Sequence, residues 1–156
     1  MNAALLQWGL VSFMIGIFLS LPLAAVYYDQ SPPWAKVFAN PRKLKSAHLD
    51  FFTQAFAAGF VYLLENRAGS PLPAWVIIPL LYGTIGNPLI LLLEATVLIR
   101  RGGMAVFYRI MKATSPASLL FAWLVIAATF LKTGPLIFLG AFVLTGAFIV
   151  WRQRGK

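Results

Sequence analysis

Residues 74–99 read AWVIIPLLYGTIGNPLILLLEATVLI, a run in which Glu94 is the single charged side chain. About 18 apolar residues already suffice to cross a bilayer as a helix. Further apolar runs lie at 3–28 and across 117–151. Composition agrees: 60% of the 156 residues are hydrophobic and 11% are charged, where a soluble domain carries about a quarter charged residues. The chain therefore reads as all-α, a polytopic membrane helix bundle of four to five transmembrane helices in a single domain.

Composition also removes several functions. There is no cysteine, so disulfides, thiolate metal sites and cysteine nucleophiles are excluded. The net charge of +9 does not indicate a nucleic-acid partner, because the cations flank apolar spans, where they orient a membrane protein. The opening MNAALLQWG lacks a basic leader region, and no A-x-A pattern closes its apolar run, so 3–28 is expected to be a mature helix.

The spans are expected at about 3–28, 47–64, 74–99, 116–132 and 135–151, with a basic, aromatic stretch from Arg101 to Pro116 lying at the interface. The last two come from dividing 117–151. As one helix it would be roughly 50 Å long, against a hydrocarbon core of about 30 Å. As a hairpin, Ser115 caps a helix that starts at Pro116, and Gly134-Pro135 makes the turn. Charge favours the hairpin. With five spans, Lys36, Arg42, Lys43, Lys45, Arg100, Arg101, Arg109, Lys112, Arg152, Arg154 and Lys156 share one side, against Arg67 and Lys132. With four spans the contrast falls to eight against four. The positive-inside rule then predicts a cytoplasmic C-terminus, in a bacterial inner membrane.

Ionisable groups within spans are costly, so the few present are functional candidates. His48, the only histidine, and Asp50 open the second span, with Gln54 deeper; Tyr82, Asn87 and Glu94 belong to the third. Asp50 and Gln54 are four apart and share a helix face. His48 falls on another face with Phe52, Ala55 and Gly59, whose small members leave room for a flat ring or for close helix packing. Pro88 removes the amide that would bond the Thr84 carbonyl. Structural readings stand beside these: Asp50 pairing with Lys43 or Lys45, Glu94 reaching Arg100, and Asn87 making an interhelical bond. One histidine cannot build a two-histidine metal site or bis-histidine haem ligation within a subunit.

The stretches ANPRKLKSAHLDFFTQAFAAGF and YGTIGNPLILLLEA resemble the small membrane isomerases that include hydroxylaminobenzene mutase and styrene oxide isomerase. The residues that match are Asn40, Pro41 and Arg42, then Ser46, His48, Leu49 and Asp50, then Tyr82, Gly83, Thr84 and Asn87. Gln54 stands where that family has Asn, Leu91 where one branch has Tyr, and the family has four spans. The resemblance implies haem b with His48 as axial ligand to its iron, Asp50 supporting that ligand, and Asn87, Gln54 and Tyr82 at the substrate. It also implies a homo-oligomer, a trimer, embedded in membrane lipid. The implied chemistry is rearrangement of a small apolar substrate, epoxide to aldehyde or arylhydroxylamine to aminophenol, by Lewis-acid catalysis without net redox change. Two alternatives remain open: a non-enzymatic carrier or assembly subunit, and a haem sensor or electron carrier.

Overall fold

The computed structural model describes residues 1–28, 32–97 and 102–154. They form six helices: α1 (Ala3–Tyr27), α2 (Pro32–Val37), α3 (Pro41–Ala68), α4 (Ala74–Ala95), α5 (Gly103–Phe130) and α6 (Thr133–Arg154). No strand occurs among the described residues. By length and apolar composition, α1, α4, α5 and α6 can each cross a membrane. The protein is thus an all-α integral membrane protein. α3 is equally long but carries Arg42, Lys43, Lys45, Asp50, Glu65 and Arg67, so it is less apolar than its neighbours.

Two compact units divide the chain, residues 1–122 and 123–156. In the first, α3 packs against both α1 and α4. The contact with α1 is close because small residues line it. Gly9 faces the Ala55 carbonyl and Ala58, Gly16 lies beneath the Phe52 ring, and buried Ser12 donates to the Phe51 carbonyl at 2.8 Å. Leu19, Phe38, Leu44, Phe51 and Ala95 form a core cluster where α1, α3 and α4 meet. Phe38 enters it from the α2–α3 connection. The expected third span continues to Ile99; Leu98 and Ile99 lie outside the described residues.

α3 starts six residues earlier than the expected span. Asn40 accounts for this: its Oδ1 accepts from Lys43 N at 3.2 Å, and Pro41 occupies the first turn, where a missing amide costs nothing. The Asn40 amide donates to the Ala95 carbonyl at 3.1 Å, tying the start of α3 to the end of α4. At its other end α3 stops at Gly69, whose φ of +67° suits glycine.

The region after α4 departs from expectation. Instead of an interfacial segment followed by a helix capped by Ser115, α5 runs unbroken from Gly103 through Pro116. Ser115 is buried and its hydroxyl donates to Asn87 rather than to its own helix. Proline is tolerated there because tertiary contacts hold the helix on both sides of it. In the second unit, the chain breaks at Leu131–Lys132, and Gly134 and Pro135 sit inside the first turn of α6, where proline needs no amide partner. The side chains of α6 are exposed over most of its length.

Candidate functional site

His48 sits two turns into α3, half-buried against α1. Its Nδ1 lies 2.8 Å from the Gly16 carbonyl oxygen. A carbonyl only accepts, so Nδ1 carries the proton, and in the neutral ring Nε2 keeps its lone pair. The ring meets Phe52 edge-on, with centroids 4.9 Å apart. Beside it lies a cavity of about 280 Å³ walled by Ser20, Leu23, Ala24, Tyr27, Tyr28 and Lys45. All of these come from α1, its C-cap and α3. The open space expected over Ala55 and Gly59 belongs to another cavity, of about 220 Å³, that His48 does not line. Phe52 fills the turn between them, and the room beside His48 lies toward Tyr27 instead.

The second ring nitrogen of His48 goes to the Gly16 carbonyl and not to Asp50. The Asp50 carboxylate instead accepts from Gln54 Nε2 at 3.2 Å, as their shared face implied. Gln54 is 9% exposed, and its Oε1 has no partner among the described residues. Thr84 Oγ1, fully buried, is likewise unpartnered among them, and Pro88 deprives the Thr84 carbonyl of its helical donor.

On α4 the two remaining candidates turn toward α5. Ser115 Oγ donates to Asn87 Oδ1 at 2.8 Å, leaving the Asn87 amide donors without a protein partner among the described residues. Tyr82 Oη and Thr114 Oγ1 are 2.6 Å apart. Gly83 and Gly86 permit this approach: a Cβ at Gly83 would press on Leu119, and one at Gly86 would collide with Ser115.

Depth relates the two groups. From the Asn40–Ala95 bond, His48 lies eight residues along α3 and Asn87 eight residues back along α4, each about 12 Å in. Gln54 and Tyr82 form a second level roughly 20 Å in. Side chains at each level share a depth but lean to different neighbours, His48 to α1 and Asn87 and Tyr82 to α5. No hydrogen bond joins His48 to Gln54, Tyr82 or Asn87 within the described chain.

Two carboxylates hold the ends of the bundle. Glu94 pairs with Lys43 and accepts from Tyr108, with Lys112 3.6 Å away. Its expected partner Arg100 lies outside the described residues. Glu65, fully buried, accepts from the Asn2 amide and side chain and from Leu72 N. Burial pushes its carboxyl up, but the donors of Asn2 and Leu72 outweigh that and hold it below the usual carboxylate range. Sequence reasoning missed Gly16, Ser115, Thr114 and Tyr108 as partners. Gly16 could not have been found from chemistry-bearing side chains, because it contributes a backbone oxygen.

Fold and site together define a polytopic helical membrane protein with a one-histidine cavity at one end of its three-helix core. No protein-family model, curated protein or solved structure matches the chain.

Proposed function

We propose that this protein is a haem-dependent membrane isomerase acting on a small apolar epoxide or arylhydroxylamine without net redox change. The observation that carries the reading is the Nδ1 bond from His48 to Gly16, which fixes the ring and frees Nε2 for a metal. His48 would hold the iron through Nε2, and Lys45, lining the same cavity, would pair with the propionates. Haem bound there would supply a Lewis acid for polarising a C–O or N–O bond.

The remaining work falls to the chain. Gly16 holds the ligand ring in one tautomer, and Asp50 holds the Gln54 amide so that Oε1 is turned free. Asn87, steadied by Ser115, offers its amide donors to a substrate oxygen, and Tyr82, held by Thr114, stands one level deeper. Leu23, Ala24 and Phe52 keep water from the reacting bond. Two helices wall the His48 cavity on one side, so a second copy closes it and can bring the Asn87 level of a neighbour to it. This supports a homo-oligomer. The excess of cations on one side supports an inner-membrane protein with a cytoplasmic C-terminus.

The test is an absorption spectrum of detergent-purified protein expressed with ample haem supply. A Soret band in the wild type that is lost in His48→Ala is expected. A colourless wild type overturns the reading.

A further inference from the structure

A second cavity exceeds the one beside His48. A groove of about 500 Å³ runs along the other side of α4, walled by Trp8, Ile78, Ile85, Leu89, Phe107 and Met111. It shares no residue with the His48 cavity. Its wall carries two polar groups, the Tyr82 hydroxyl, taken up by Thr114, and the Trp8 indole N–H; the rest of the wall is apolar. From Ile78 to Leu89 it extends roughly 16 Å, comparable to the roughly 15 Å of hydrocarbon in one leaflet.

One end of the groove is charged. Phe107 and Met111, which wall it, are each followed directly by a member of the Glu94 cluster, Tyr108 and Lys112. Glu94 lies five residues, roughly 7 Å, beyond Leu89. Glu94 is one negative charge against two lysines. Lys43 is its close partner, whereas Lys112 stands off at 3.6 Å with its side chain 60% exposed. Lys112 also donates to Tyr108 at 3.0 Å, which leaves further N–H donors. Arg109 is exposed on the neighbouring face of the same helix. An apolar slot one leaflet long, ending at surplus exposed cations, matches a lipid tail joined to an anionic head.

We infer that this groove binds one anionic phospholipid, its acyl chain laid between α4 and α5 and its phosphate held by Lys112, Tyr108 and Arg109. The site needs no haem, and Tyr82 is the one residue it shares with those proposed to act on the substrate. The Lys112 ammonium bridges the phosphate and Glu94, so bound lipid closes the α3–α4–α5 charge cluster.

Native mass spectrometry of the delipidated full-length protein, titrated with phosphatidylglycerol and with phosphatidylcholine of identical chains, tests it. One phosphatidylglycerol should bind at least roughly tenfold tighter than phosphatidylcholine. Leu89→Trp, which fills the groove, should abolish binding of both. Lys112→Ala combined with Arg109→Ala should erase the preference while leaving the weaker chain binding. Leu144→Trp, on exposed α6, should change nothing and serves as the control for surface lipid. Equal affinity for the two lipids, or binding that survives Leu89→Trp, overturns the proposal.

Discussion

At the scale of single residues, the backbone carbonyl of Gly16 fixes the orientation of the His48 ring. Deleting a side chain cannot remove that acceptor, so His48→Asn should leave the fold intact while abolishing haem retention, read from the Soret absorbance per protein. The amides make a second prediction. If Asn87 and Gln54 orient substrate, Asn87→Ala and Gln54→Ala should each lower turnover about tenfold to a hundredfold at unchanged haem content. Equal loss of haem would mark them as structural. Glu65 makes a third, with a definite sign. Its carboxyl is held low in the folded protein, so its stabilisation is present above the unfolded value of about 4.3 and is lost as pH falls through the folded value. Between about pH 5 and about pH 3, wild-type melting temperature should fall more steeply than that of Glu65→Gln. The variant should start lower at neutral pH, because Asn2 and Leu72 lose an ionised acceptor.

At the scale of helices, the α4–α5 contact depends on absent side chains. Gly83 and Gly86 give Leu119 and Ser115 room to lie against α4, and the hydrogen bonds from Tyr82 to Thr114 and from Ser115 to Asn87 follow from that closeness. Gly86→Val should separate the helices, lower thermal stability by about 1–3 kcal/mol, and break the Ser115–Asn87 bond. A melting curve with turnover measured alongside checks both. The same contact explains what the sequence could and could not disclose. Apolar runs gave α1 and the start of α4, because length and hydrophobicity act locally, but carried α4 to Ile99 where the helix stops at Ala95. The pairing of Asp50 with Gln54 was legible from their spacing of four. Ser115-Pro116 misled: its local pattern is that of a helix start, but Ser115 bonds Asn87 on another helix and α5 runs on through Pro116. The role of Asn40 was likewise hidden, since the acceptor of its amide, Ala95, lies 55 positions away.

At the scale of the whole molecule, the decisive quantity is the sidedness of its charges. Asn40 joined to Ala95, and Glu94 joined to Lys43 on α3 and Tyr108 on α5, show that the start of α3, the end of α4 and the start of α5 share one end of the bundle. Glu65, joined to Asn2 and Leu72, places the start of α1 at the other. What remains is where the chain goes after the break at Leu131–Lys132, and with it the choice between four and five crossings. If α5 and α6 each cross, Arg152 returns to the side of Lys36 and Arg109; if they cross as one, it ends with Arg67. Because the chain has no native cysteine, single substitutions report sidedness cleanly. Lys36→Cys, Arg109→Cys and Arg152→Cys should be labelled by a membrane-impermeant maleimide only after cells are opened, and Arg67→Cys and Lys132→Cys in intact cells. Labelling of Arg152→Cys in intact cells, with Lys132→Cys unlabelled and the other three sites as expected, would give four crossings. It would also place the three terminal cations against the positive-inside rule.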